Sequence, residues 1–193
     1  MKRTFVFRGQ TYDYFCHPYN TTWNNERTVE IPIVSKIVSE YREKNILEVG
    51  NVLSHYFNCQ HDVLDKYETA DPIIHQDAVD FHPSKKYDLI VSISTIEHIG
   101  WDEQPKEPEK GLCTLKNLVQ CLAPGGQMVV TFPLVYNPAL DRLFEDGKLP
   151  FTEQYYLKRI SDREWKEAGW GEVRGTKYDG YNRAIVIGTT KRR

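Results

Sequence analysis

A glutamate and a histidine, Glu97 and His98, follow directly after the strongest strand pattern in the chain, Tyr87–Ser94. A histidine whose pKa lies near neutrality can remove a proton from an attacking hydroxyl group. These two residues are therefore the candidate catalytic pair. The alternative interpretation is that His98 only packs its loop and hydrogen-bonds to the backbone.

Carboxylates also stand at the ends of other short apolar strands. Ile46–Gly50 contains Glu48 and ends in glycine, and His61–Asp65 ends in a carboxylate. Asp77 follows a weaker strand candidate at 73–75. In an open α/β sheet, ligands bind beyond the carboxyl ends of the strands. The alternative for Glu48 and Asp65 is a core carboxylate paired with a nearby lysine or arginine.

Strands and helices alternate from Asn45 onwards, which predicts an α/β fold with a Rossmann-like, doubly wound, mostly parallel sheet. A helix carries leucines at helical spacing up to Leu122, and Pro124–Gly126 ends it. Met128–Phe132 follows as a fifth strand. The stretch 66–72 is too short for a usual crossover helix.

The two ends of the chain differ from this core. The N-terminal extension, residues 1–44, predicts a β-hairpin and then a helix that starts close to Pro32. Near the C-terminus, Ser161–Glu164 has a capping-box pattern that predicts a short helix closed by Gly169. Asp179-Gly180 lies between two strand candidates and predicts an antiparallel C-terminal hairpin.

The composition limits the classes of function. The 193 residues carry a net charge of −2, which provides no field of one sign to attract nucleic acid or anionic lipid. No segment reaches the roughly 20 apolar residues that a membrane span requires. The four cysteines form no Cys-x-x-Cys pair, which indicates reduced, packing cysteines rather than a disulfide framework or a zinc site. We therefore expect a cytoplasmic protein.

The order of these motifs resembles the class I S-adenosylmethionine-dependent methyltransferases over roughly 45–190, most of the chain. The matching segments are Ile46–Gly50, Asp65, Asp77-Ala78, Tyr87–Ser92 with Ile96–Ile99, and Leu122–Val130. The length of 193 residues and the absence of a convincing linker predict a single domain, 1–193, and the resemblance places its Rossmann-like core at 45–190. The resemblance also implies S-adenosylmethionine as the cofactor. The cofactor-binding residues that it implies are Glu48, Gly50, Asn51, Asp65, Asp77, Ala78 and Ser94.

One departure from the family pattern concerns the loop after the first strand. The family continues with alternating glycines, whereas this chain has Val52 and Ser54 at those positions. Glycine in such a loop permits a positive φ and close backbone approach. Either the loop adopts an ordinary conformation and holds the cofactor differently, or cofactor binding is weak or lost. No Gly-x-Gly-x-x-Gly follows the strand, which argues against a nicotinamide cofactor.

The resemblance implies transfer of a methyl group to an oxygen or nitrogen of a small molecule. The polar and aromatic loops at 101–110 and 136–138 suit a sugar or another hydroxylated substrate. An aromatic and polar stretch with Tyr19, Asn20 and Trp23 predicts a strap over the cofactor, with Arg27 near its carboxylate. We predict no metal, because Asp102 and Glu103 near His98 lack a defined ligand spacing. The alternative function is a non-catalytic binding or partner protein of the same fold.

Overall fold

Residues 3–177 and 182–192, which the computed structural model describes, contain ten strands and four α-helices. The strands are β1 (Thr4–Phe7), β2 (Gln10–Asp13), β3 (Ile46–Val49), β4 (Asp62–Asp65), β5 (Ile74–His75), β6 (Tyr87–Ile93), β7 (Leu122–Pro133), β8 (Glu153–Ser161), β9 (Glu164–Ala168) and β10 (Ala184–Lys191). The helices are α1 (Arg27–Glu40), α2 (Lys110–Cys121), α3 (Pro138–Glu145) and α4 (Trp170–Val173).

Eight of the strands form one sheet in the order β5-β4-β3-β6-β7-β10-β8-β9. The pairs among β3, β4, β5, β6 and β7 are parallel. The β7–β10, β10–β8 and β8–β9 pairs are antiparallel. The predicted α/β class, with a mostly parallel sheet and an antiparallel C-terminal strand, is confirmed. The strand order reverses between β3 and β6, which is where a ligand crevice is expected.

Apolar layers cover the two faces of this sheet. Leucines of α2 and α3 pack on one face. The hairpin β1–β2 and helix α1 pack on the other. The predicted N-terminal hairpin is thus confirmed. Together with α1, it covers the face of the sheet on which no crossover helix lies.

Helix α1 begins five residues before Pro32, not close to it as expected. A proline inside a helix removes the hydrogen bond to the carbonyl four residues earlier, here that of Thr28. The Thr28 carbonyl instead accepts a hydrogen bond from the Phe15 backbone N–H at 2.9 Å. The helix therefore tolerates Pro32, because the Thr28 carbonyl has a hydrogen-bond partner outside the helix. This bond from Phe15 also connects the N-terminal extension to α1.

The connections along the β3–β4–β5 edge are short. Only a 3-10 turn at Leu53–His55 lies between β3 and β4, and the stretch 66–72 contains no helix, as predicted. Helix α2 supplies the crossover from β6 to β7 and ends at Cys121. Strand β7 then starts at Leu122, earlier than the predicted Met128. At the β3–β4–β5 edge of the sheet, loops therefore hold the strand ends, and no α-helix lies between these strands.

The predicted helix from Ser161–Glu164 to Gly169 is wrong. Ser161 and Glu164 flank a tight turn between β8 and β9, and the Arg159 guanidinium holds that turn by donating to the carbonyls of Ser161 and Asp162. Trp165 is buried between exposed neighbours, which is the alternation of a strand. The local capping pattern is therefore overridden by burial of the tryptophan.

The turn of the hairpin predicted at Asp179-Gly180 lies outside the described residues. The strand expected before this turn is absent from 170–177, because α4 begins there after Gly169. Strand β10 pairs with β7 and β8 instead.

None of the helices in the described ranges has the length and apolar character needed to cross a bilayer.

Candidate active site

A cavity of about 560 Å³ lies at the carboxyl ends of β3, β4 and β6, where the strand order reverses. Its volume falls within the usual range for small-molecule sites, roughly 300–1,000 Å³. Most residues predicted to bind the cofactor line it, namely Gly50, Asn51, Asp65, Asp77, Ala78 and Ser94. His98 lines the same cavity. The sequence prediction and the topology therefore indicate the same ligand site.

The loop after β3 forms one wall of this cavity. Gly50 has a φ of 84°, and a Cβ at this position would lie 2.2 Å from Oγ1 of Thr95. Only glycine fits there without displacement of its neighbour. Val52 has a φ of −113°, so it occupies its position without a left-handed backbone. The loop thus accommodates Val52 in an ordinary backbone conformation.

Glu48 supports this loop from outside the cavity wall. Its Oε1 accepts hydrogen bonds from the backbone N–H groups of Val52 at 2.9 Å and Leu53 at 2.7 Å. Its Oε2 lies 2.8 Å from Nε2 of His61. The side chain is fully buried, and both oxygens are engaged by the chain itself. This geometry makes Glu48 a positioning residue for the loop.

Asp65 organises the next turn of the site. Its Oδ1 accepts from the backbone N–H groups of Tyr67 at 2.8 Å and Glu68 at 3.0 Å, and its Oδ2 accepts from that of Asn51 at 3.1 Å. A carboxylate offers about four acceptor positions. One acceptor position on Oδ2 is therefore left for a ligand.

Asp77 belongs to a charged cluster at the cavity edge. Its Oδ2 lies 2.9 Å from Nζ of Lys66 and 2.8 Å from Nζ of Lys110, and both lysines also pair with Glu103. Burial alone would raise the pKa of Asp77, but hydrogen bonds from Lys110 and Lys66 hold that pKa below its ordinary value. The carboxylate is therefore ionised at neutral pH. The two lysines are not among the residues predicted from the sequence, because their partners come from distant segments.

His98 forms a dyad with a carboxylate at the mouth of the cavity. Its Nδ1 lies 2.6 Å from Oδ2 of Asp102, and the hydroxyl of Tyr136 donates to the same oxygen at 2.7 Å. The rings of His98 and Tyr136 are in edge contact, with centroids 4.7 Å apart. Burial opposes ionisation of Asp102, but the bonds from His98 and Tyr136 lower its pKa. The dyad engages Nδ1 of His98, and Nε2 lies 3.7 Å from Oε1 of Glu97.

Asp102 was considered in the sequence only as a metal ligand, and its pairing with His98 was missed. The four-residue spacing between His98 and Asp102 was an available signal, since such residues face each other when the chain turns helically. An aspartate on Nδ1 fixes the tautomer of a histidine and stabilises its charged form. Asp102 and Tyr136 are thus placed to position His98.

Glu97 lies beneath the cavity mouth. Its Oε1 is 3.7 Å from Nε2 of His98, and its Oε2 is buried with no hydrogen-bond partner among the described residues. Burial raises the pKa of Glu97 well above its ordinary value. The raised pKa favours the protonated form of Glu97 over the carboxylate.

Arg27 is held within a buried polar cluster below the end of β6. Its guanidinium lies 2.8 Å from Glu30 and donates to the backbone carbonyl of Ser94 at 3.3 Å. The Ser94 hydroxyl donates to Glu30 at 2.6 Å. Arg27 is outside the cavity lining, so its contact with a cofactor carboxylate stays a prediction.

The aromatic strap does not line the cavity. The Tyr19 ring stacks on His55 with centroids 4.5 Å apart. Trp23 lines a different cavity, beneath the N-terminal hairpin. The hypothesis that the strap of Tyr19, Asn20 and Trp23 covers the cofactor is therefore not supported by the cavity lining.

The fold and this cavity are those of a Rossmann-like α/β protein with a ligand site at the carboxyl ends of its strands. A family model described as a methyltransferase domain matches residues 29–171, well over half of the 193-residue chain. The chain therefore belongs to the methyltransferase domain family, and the resemblance found in its motifs is confirmed. No match was found among curated proteins.

Solved structures with a related fold include several methyltransferases. The N-methyltransferase NodS from Bradyrhizobium japonicum WM9, in complex with S-adenosyl-L-homocysteine, is 13% identical, with a TM-score of 0.48 over 87% of this chain and 93% of that chain. The sugar N-methyltransferase KedS8 from Streptoalloteichus sp ATCC 53650 is 19% identical, with a TM-score of 0.38 over 65% and 57%. The family assignment depends on the domain match and not on these structures.

Proposed function

We propose that this methyltransferase uses S-adenosylmethionine and transfers its methyl group to a hydroxyl group of a small molecule. The observation that carries the proposal is the His98–Asp102 dyad at the mouth of the cavity, with its 2.6 Å hydrogen bond. A hydroxyl acceptor must lose its proton during methyl transfer, and a histidine oriented by a carboxylate removes such a proton. The alternative, which the family resemblance also implies, is transfer of the methyl group to a nitrogen atom.

The residues of the cavity fit the cofactor. The position of Gly50, where a Cβ would collide with Thr95, brings bare backbone to the cavity wall. The remaining acceptor position of Asp65 suits one ribose hydroxyl. Ala78 offers an apolar surface for the adenine ring, while Asp77 would have to share its oxygens between the adenine amino group and two lysines.

When bound, S-adenosylmethionine supplies a methyl group on a positively charged sulfur. In transfer to a hydroxyl group, Nε2 of His98 would accept the proton that the acceptor loses, and Asp102, on Nδ1, would stabilise the resulting imidazolium. Positioning of the two reactants supplies most of the remaining rate enhancement.

The acceptor that we propose is a small hydroxylated molecule such as a sugar. Support comes from the polar and aromatic groups that surround His98, including the Tyr136 hydroxyl and the Asp102 carboxylate. Groups of this kind hydrogen-bond to sugar hydroxyls and stack on sugar faces. A panel of monosaccharides and nucleotide sugars is therefore the first set of acceptors to test.

The test is transfer of radiolabelled methyl from S-adenosylmethionine to this panel. We expect His98→Gln to lower turnover by roughly 10²–10⁴-fold, the usual contribution of a general base, with cofactor affinity nearly unchanged. His82→Gln is the matched control, because His82 is an exposed histidine outside the cavity. Equal turnover of His98→Gln and the parent would remove His98 from the mechanism. Cofactor binding without transfer to any acceptor would favour the non-catalytic alternative.

A further inference from the structure

A second group of side chains, with donor atoms that can bind a metal ion, lies behind the loop after β3, which forms one wall of the cavity. One donor atom from each of Glu48, Cys59 and His61 lies within 4.8 Å of the other two. The register of the sheet explains this convergence. Glu48 on β3 pairs with Val63 on β4, and His61, two residues before Val63, presents its side chain to the same face.

The three donors are of the types that zinc prefers. Thiolate, imidazole and carboxylate are its usual protein ligands, whereas magnesium and calcium are bound by oxygen. A thiolate and a carboxylate together also cancel the two positive charges of the ion. This neutrality matters here, because the side chain of Glu48 is fully buried and that of His61 is 6% exposed.

The carboxylate of Glu48 is already oriented as a metal ligand would be. Its Oε1 accepts the backbone N–H groups of Val52 and Leu53, which leaves Oε2 directed at His61. Outer hydrogen bonds of this kind fix the orientation of ligands in metal sites.

Only small movements would create a tetrahedral site. Two nitrogen or oxygen ligands, each roughly 2.05 Å from zinc, lie about 3.3 Å apart. Oε2 of Glu48 and Nε2 of His61 are 2.8 Å apart, so they would separate by about half an ångström. The Cys59 sulfur would move inward. Cys59 and His61 also line a groove of about 520 Å³, from which water can supply a fourth ligand.

We propose that Glu48, Cys59 and His61 form a Zn²⁺ site with water as the fourth ligand, at a place where the cysteine spacing in the sequence predicts no zinc site. The ion would tie the end of β3 to the connection that leads into β4, where the chain has only a 3-10 turn at Leu53–His55. Through Glu48 it would stiffen the loop at Val52, which borders the cofactor cavity. The site is distinct from the methyl-transfer centre, and it does not depend on the proposed function.

The test is calorimetric titration of the chelator-treated full chain with zinc chloride alone. We expect one ion per chain and a raised melting temperature. Cys59→Ser should weaken binding by more than the roughly 10–100-fold that loss of an outer partner costs, because it removes a ligand. Cys113→Ser, which alters an exposed thiol, is the matched control and should bind zinc as the parent does.

Two further measurements separate loss of the site from loss of the fold. Without metal, the parent and Cys59→Ser should melt at nearly the same temperature. Cobalt in place of zinc should give a near-ultraviolet thiolate charge-transfer band in the parent and in Cys113→Ser, and no band in Cys59→Ser. Absence of zinc binding to the folded parent would overturn the proposal. So would binding that is unchanged by Cys59→Ser or equally weakened by Cys113→Ser.

Discussion

Substitution of Gly50 by alanine tests how the loop after β3 builds the cavity wall. Two costs add at this position. The φ of 84° places a non-glycine residue in the left-handed region, at a cost of about 1–2 kcal/mol. The added Cβ would also lie 2.2 Å from Oγ1 and 2.6 Å from Cγ2 of Thr95, and such overpacking costs about 1–3 kcal/mol. We therefore expect Gly50→Ala to destabilise the protein by about 2–5 kcal/mol.

Gly125→Ala is the matched control for the backbone cost. Gly125 has a φ of 77°, and a Cβ there would meet nothing within 4 Å. The difference between the two variants therefore isolates the collision with Thr95. It should lower the melting temperature of Gly50→Ala by about 2–12 °C more than that of Gly125→Ala, for a domain of this size.

The double variant Gly50→Ala with Thr95→Ala, together with Thr95→Ala alone, completes a mutant cycle. It should regain the larger part of the collision energy, because the two nearest atoms are removed. Cofactor affinity, measured by calorimetry, should fall with Gly50→Ala and stay unchanged with Gly125→Ala. Equal destabilisation by the two single variants would refute this account of the loop.

Three other substitutions test individual carboxyl groups, of which Asp65 lines the cavity and Glu97 and Asp141 do not. Asp65→Asn should weaken S-adenosylmethionine binding at least tenfold in calorimetry, because an amide cannot accept all three backbone N–H groups. The free energies of unfolding of the parent and of Glu97→Gln can be compared by urea denaturation from pH 4.5 to 8. As the pH rises, the parent should lose stability relative to the variant. The raised pKa of Glu97 means that the folded chain holds this proton more tightly than the unfolded chain. Burial likewise raises the pKa of Asp141 from 3.8 to about 6. The parent should therefore lose up to about 3 kcal/mol relative to Asp141→Asn between pH 4 and pH 7, and a constant difference would contradict that shift.

The fold class and most of the cavity lining could be predicted because the strands that border the cavity are short apolar runs with polar ends. Gly50 and Asp65 reach the cavity for this reason. Glu48 does not line it, because its carboxylate is directed to Val52, Leu53 and His61. Alternation along a strand decides which face a side chain takes, and the motif alone does not specify this.

Other features depend on contacts between distant segments. Lys66 and Lys110 meet at Asp77 although 44 positions separate them in the sequence. The bond from Tyr136 to Asp102 spans 34 positions. At Ser161–Glu164 the local capping signal was overridden by burial of Trp165, a tertiary effect that local propensity cannot register.

The central claim is that the cavity between β3 and β6 binds S-adenosylmethionine, and a thermal-shift titration tests it most directly. A ligand at about 100 times its dissociation constant stabilises the folded state by roughly 2.7 kcal/mol. For a domain of this size the melting temperature should rise by about 5–11 °C. We expect this rise with S-adenosylmethionine and S-adenosylhomocysteine and none with NAD. No shift with either adenosyl compound, or a shift with NAD alone, would contradict the claim.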